Sequence, residues 1–169
     1  MGTPGKRLVA ETDKLNGGQD FYAWFLEQAN ALRVHQPDFL DWAELAEELE
    51  GMAALQRDKV VSLLRVVLVH LLKWRYSKIR RSERRWRLSI VAARVDLTDI
   101  LEDSKALRNE LSVLLPKAYR GARIVAGTEM RLEKHDWQRL FPDSCLWSES
   151  QVLNEDFFPD VAPEADGRS

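Results

Sequence analysis

"ALQRDKVVSLLRVVLVHLLKWRY", Ala54 to Tyr76, decides the fold. Val60, Val61, Leu63, Leu64, Val66, Val67, Leu68, Val69, Leu71 and Leu72 leave almost no polar face on it. The β-branched residues would suit a strand, but no turn signal interrupts the segment and its length is that of a helix. An apolar surface all round predicts a helix buried on most sides. Arg65 and His70 interrupt the most apolar part, Val60–Leu72, which is too short and too polar to cross a bilayer.

The flanks keep a helical period. Asp20 can cap a helix whose face carries Phe21, Trp24, Phe25, Gln28 and Leu32, and Pro37 ends it. Asp41 can cap a second helix with Leu45, Leu49 and Met52 as its apolar stripe, and Gly51 marks its end or a bend. After a break near Ser77, Ser82 caps a helix in which Trp86, Ile90, Ala93, Leu97 and Ile100 or Leu101 recur to about Glu102. Ser104 caps another through Leu115. Pro116 opens the next, which packs Tyr119, Ala122, Ile124 and Ala126 and runs to about Met130. "HDWQRLFPDSCLW" reads as a loop or a single turn, and "SESQ", Ser148–Gln151, as a capping box. The fold class is all-α: an irregular bundle of five to six helices around residues 54–76. One helical domain is expected over 19–159, with a loose arm at 1–18 and a disordered tail at 160–169.

Composition places limits on function. With 169 residues, 45% hydrophobic and 31% charged, the chain can build one real core. One cysteine, Cys145, permits no intrachain disulfide and fits a reducing compartment. The first residues, "MGTPGKRLVAETDKLNGG", lack a signal peptide's apolar run, so a cytoplasmic protein is expected. A net charge of −2 gives no global attraction to nucleic acid. Its distribution is uneven: residues 70–87 hold eight Lys or Arg and one acid, and residues 38–50 hold six acids and no base.

Several segments together resemble a known family. They are "DFYAWFLEQANALR" (Asp20–Arg33), "LDWAELAEELEGM" (Leu40–Met52), "HLLKW" (His70–Trp74), an Arg-rich link to a Trp-led helix, "FP", and a late "FFPD". In this order they are similar to the bacterial family catalogued as domain of unknown function twenty-nine, over roughly Asp20 to Pro159. The resemblance implies an α-helical cytoplasmic bacterial protein and brings no catalytic residues with it. The motif positions are Asp20, Trp24, Glu47, Glu48, His70, Trp74 and Trp86. The chain departs from the family's usual residues at Glu44, after Trp74 and at Arg85.

Three chemistries can be weighed. His35, His70 and His135 fall in no metal-binding motif, and His135 and Cys145 lack partners at zinc spacing, so neither metal nor cofactor is expected. His70 lies in an apolar helix and needs a partner for a ring nitrogen; Glu48, on the boundary of the second helix, is the candidate. That pair is a structural hydrogen bond in one reading and half of a catalytic arrangement in the other, with no nucleophile in view. There is no phosphate-binding glycine motif.

The basic block is the third. If Ser82 caps a helix, Arg84, Arg85 and Arg87 sit at its positive end, where each costs a few tenths of a kcal/mol, about 0.3–1 at most, unless an anion lies close. The acidic second helix could supply that anion, as could an external phosphate. Trp74, Tyr76 and Trp86 interleave with the bases, which suits stacking on nucleobases. Most tryptophans are expected in the core, with Trp42 and Trp147 exposed.

The leading functional reading is a non-enzymatic interaction protein with a protein partner. The alternative is a nucleic-acid or phosphate binder, including a toxin–antitoxin-like component, using Lys73, Arg80, Arg81, Arg84 and Arg87 with Trp74 and Trp86. A small-molecule enzyme using Glu48 and His70 comes third. The oligomeric state is open.

Overall fold

The computed structural model describes residues 20–34, 42–79 and 82–162. Among them are seven helices and no strand: α1 (Phe21–Val34), α2 (Trp42–Tyr76), α3 (Glu83–Asp103), α4 (Lys105–Asn109), α5 (Leu111–Glu129), α6 (Lys134–Leu140) and α7 (Glu149–Leu153). The all-α expectation holds. The arm at 1–18, the cap Asp41, the stop Pro37, His35, Arg80, Arg81 and most of the tail lie outside the described residues. The chain divides into two compact units. One comprises Met1–Gln56 and Leu101–Asn109, the other Arg57–Ile100 and Glu110–Ser169.

The first unit is organised by Asp20. Its Oδ1 accepts the Ala23 N–H at 3.1 Å, which caps α1. The same oxygen accepts the Ser104 hydroxyl at 2.7 Å, and Oδ2 accepts the Ala106 N–H at 2.8 Å. Ser104 in turn caps α4, taking the Leu107 N–H at 3.2 Å. One carboxylate thus fastens two helix starts. Burial opposes its charge, but the bonds from Ala106, Ser104, Ala23 and Tyr22 prevail and hold the carboxyl below its ordinary value. The buried side of α1 is Tyr22 and Ala29, whereas Trp24, Phe25, Gln28 and Leu32 are half-buried.

α2 departs from the sequence expectation. Residues 42–76 form one helix of 35 residues, with Gly51 in its interior and no break between the acidic and apolar segments. A single glycine costs about 1 kcal/mol against alanine, and the Ala, Glu, Leu and Gln residues on both sides outweigh it. The stripe is also different. Leu45 and Met52 are exposed, and the fully buried positions are Ala46 and Ala53, whose small side chains admit close neighbours. From Val60 on, the expectation holds: Val60, Val61, Leu64, Val67, Leu68, Val69, Leu71 and Leu72 are buried.

The second unit packs this apolar stretch with α3 and α5–α7. α3 buries Trp86, Ile90, Ala93, Leu97 and Leu101, the expected face. The next boundary shifts: α4 stops at Asn109, and α5 starts at Leu111 and continues through Pro116. Pro116 is exposed and sits in the second turn, so α5 forgoes the bond its N–H would give to the Ser112 carbonyl, at a position open to water. α5 buries Tyr119, Ala122 and Ala126, but Ile124 is exposed and Arg123 is buried instead. It closes in a Schellman turn: Leu132 N–H bonds Gly127 O and Arg131 N–H bonds Thr128 O, with Arg131 at φ 59° where glycine is usual.

Two further expectations change. Residues 134–140 form helix α6 rather than a loop or single turn. Gly127 of α5 makes room for it, since a Cβ there would lie 2.6 Å from the Trp137 ring. Trp147, expected at the surface, is buried at 5% exposure, and Trp42 is half-buried. The capping box of α7 forms as read, with Ser148 and Gln151 bonding each other's backbone N–H.

Candidate functional site

The end of α2 carries the cations that drew notice in the sequence. Helical spacing sends Lys73 toward α5 and α3, where its Nζ pairs with Glu129 and lies 5.0 Å from the centre of the Trp86 ring. Trp74 packs on Phe158 at 4.8 Å between ring centres, and Arg87 of α3 covers the same Phe158 at 4.9 Å. Arg75 uses its backbone as well as its side chain: its Nη1 donates to Asp160 O at 3.1 Å, and its own C=O accepts the Ala162 N–H at 2.8 Å. That last bond satisfies one of the orphan carbonyls of the α2 C-terminus.

Two cations of the basic block have partners outside the acidic segment: the anion beside Lys73 is Glu129, and the acceptor for Arg75 is the backbone at Asp160. Within the acidic segment, Glu50 pairs with Arg33 on α1, and Glu47 and Glu48 are exposed.

His70 is half-buried, and its Nδ1 is buried without a hydrogen bond. Burial holds its pKa below the usual value, the Lys73 charge adds to this, and Glu129 opposes it. Glu48 is exposed and belongs to the first unit, His70 to the second. Among the described residues no three His, Cys, Asp or Glu side chains gather as a metal site.

Trp86 is 5% exposed beneath Lys73, and Trp74 is half-buried against Phe158. Of the basic residues singled out in the sequence, Arg84 and Arg87 are exposed, as is their neighbour Arg85.

Two buried arginines were not singled out. Arg94 has no exposed surface and donates to four carbonyls: Val152 at 2.8 Å, Phe157 at 3.0 Å, Glu155 at 3.2 Å and Gln151 at 3.4 Å. It closes the C-terminus of α7 and grips "FFPD". Burial pulls its guanidinium down to about 10, with Glu155 opposing, so it stays charged at neutral pH. Arg123 does the same for "FP". It donates to Phe141 O at 2.9 Å and pairs with Asp143 at 2.8 Å, while the Tyr119 hydroxyl donates to Pro142 O at 3.0 Å. A planar fork of five donors suits several carbonyls at once, which an ammonium cannot match. The available signal was position: Arg94 and Arg123 each interrupt an otherwise apolar stripe.

The opposite side of α3 carries an exposed apolar surface. Leu88, Val91 and Val95 are 63%, 40% and 45% exposed. Spaced at i, i+3 and i+7, they form a row, with Ala92 beside them. Arg84 and Arg85 stand at one end of the row and Asp96 and Asp99 at the other, all exposed. This row lies directly across the helix from Ile90, Ala93, Arg94 and Leu97, so it belongs to the outside of the unit.

Comparison with known proteins adds two findings. Residues 18–158 match the family model described as domain of unknown function DUF29. The crystal structure of an alpha-helical protein of unknown function from Rhodospirillum rubrum ATCC 11170 is similar at a TM-score of 0.59 and 24% identity, covering 82% of this chain and 89% of that one. At that identity the likeness concerns the fold. No curated protein matches the sequence.

Proposed function

The chain belongs to the family described as domain of unknown function DUF29, and we propose that it acts there as a non-enzymatic interaction protein that docks a protein partner on the outer face of α3. The observation that carries this reading is the exposed row Leu88, Val91 and Val95. Apolar residues at i, i+3 and i+7 on a helix are the pattern by which helices seat against protein grooves or other helices. A flanking rim of charge gives such a patch its orientation. We place the protein in the bacterial cytoplasm. This rests on the single thiol and on the fact that no described helix is long and apolar enough to cross a membrane.

The charge arrangement favours a protein partner over nucleic acid. Lys73 is committed to Glu129, and Arg75 to the backbone at Asp160. Trp86 is covered, so it offers no face to a base. The exposed arginines share their helix face with Asp96 and Asp99, which repel a phosphate backbone. For an enzyme built on Glu48 and His70 the sequence offers no nucleophile.

The test is a photo-crosslinking residue at Val91 in the full chain, expressed in its own cells, with Val113 of α5, which is more exposed, as the control. A discrete crosslinked protein product is expected at Val91, absent at Val113, and lost when Leu88 and Val95 are both changed to Asp. Absence of any product at Val91 rejects the reading. A salt-sensitive shift of RNA or DNA that disappears with Arg84→Ala and Arg85→Ala would replace it with the nucleic-acid alternative.

A further inference from the structure

We infer that the occupant of the α3 face is a second copy of the same chain, lying antiparallel across a two-fold axis near Val91 and Ala92. The inference rests on the docking reading above and goes further by naming the partner.

The outer face of α3 is polarised along its length. Arg84 and Arg85 lie at the N-terminal end, Leu88, Val91, Ala92 and Val95 in the middle, and Asp99 at the C-terminal end. A uniformly acidic partner meets repulsion at Asp99, and a uniformly basic one at the arginines. The complement of this surface is an apolar row with acid at one end and base at the other, in reverse order. The face itself, turned end for end, is such a surface.

The spacing supports the match. Arg84 and Asp99 are equidistant from the midpoint between Val91 and Ala92, and so are Leu88 and Val95. A two-fold at that point sets Leu88 of each copy near Val95 of the other. It sets the Arg84–Arg85 pair of each copy near Asp99 of the other, about 22 Å from the opposite ion pair at 1.5 Å rise per residue. Two-fold contacts are isologous, so each attractive pair occurs twice. Ala92, at the crossing, is small enough to let the helix axes approach. A parallel arrangement would stack Arg84 on Arg84 and Asp99 on Asp99, so the charges select the antiparallel one. The exposed Leu88 and the two valines are then withdrawn from water without any rearrangement of the unit.

The experiment measures mass against concentration for the full chain by sedimentation velocity and light scattering. The expected result is a reversible monomer–dimer equilibrium. Reversing the basic end with Arg84→Glu and Arg85→Glu should weaken dimerisation at least tenfold. Asp99→Arg alone should do the same, and neither variant should lower the melting temperature measured at concentrations where the unaltered chain is monomeric, since all three side chains are exposed and both changes suit the helix dipole. Mixing the two variants, one carrying a mass tag, should restore a dimer that contains one of each. A chain that stays monomeric at every concentration overturns the inference. So does a dimer that both variants form as well as the unaltered chain, or a mixture that yields no mixed dimer. The two readings fail differently: a monomeric chain whose Val91 probe captures another protein keeps the docking function and discards self-association. A chain with no Val91 product and no dimer discards both.

Discussion

Asp20 and Arg94 illustrate how much of this molecule hangs on single side chains. Asp20 serves two helix starts at once, and its carboxylate is held below the ordinary value by Ala106, Ser104, Ala23 and Tyr22 against the cost of burial. A depressed acid stabilises the fold above its unfolded-state pKa, and that increment disappears as pH falls through the folded value. Asp20→Asn is therefore expected to cost about 1 kcal/mol at neutral pH. The gap to the unaltered chain should close as pH drops below about 4; urea denaturation across that range measures it. Arg94 works by a different economy, a buried charge satisfied wholly by backbone carbonyls. Arg94→Met should cost about 3 kcal/mol, because four acceptors lose a charged donor. Arg94→Lys should not rescue it, since an ammonium lacks the fork. Limited proteolysis between residues 154 and 160 would report the release directly.

At the scale of the element, local chemistry was legible and long-range chemistry was not. The caps at Asp20, Ser104 and Ser148 could be read because cap and N–H lie within three residues of each other. The buried face of α3 could be read from its period. Gly51 and Pro116 misled for one reason: each is a statistical breaker whose local cost is smaller than the support from its helix. Gly51→Ala tests this. A Cβ there meets nothing within 4 Å, so stability should rise by about 0.5–1 kcal/mol, seen as a higher urea midpoint. If α2 were broken at that position, the substitution would gain nothing. The cation–aromatic seam was visible as a basic block, but its partners were not. Glu129 and the carbonyls near Asp160 lie 56 and 85 residues away from the cations they meet. Backbone carbonyls, moreover, leave no mark in a sequence. The apolar row on the far side of α3 was present in the letters as well, overshadowed by the stronger stripe that the core uses.

For the whole molecule, residues 157–162 have an effect out of proportion to their length. They have no regular secondary structure, yet they supply Phe158 to Trp74 and Arg87, carbonyls to Arg94 and Arg75, and an N–H to the end of α2. A chain ending at residue 156 should melt well below the full chain, although no helix is removed; differential scanning calorimetry gives the comparison. The same arrangement bears on synthesis at the ribosome. Helical proteins usually fold fast because their contacts are local in sequence. Here the guanidinium of Arg94 reaches the tunnel exit some sixty residues before the carbonyls that neutralise it, the nearest of them 57 and the farthest 63 positions later. Until that stretch emerges, Arg94 has no carbonyls to be buried against, so its side chain stays in water and the face of α3 that carries it cannot close.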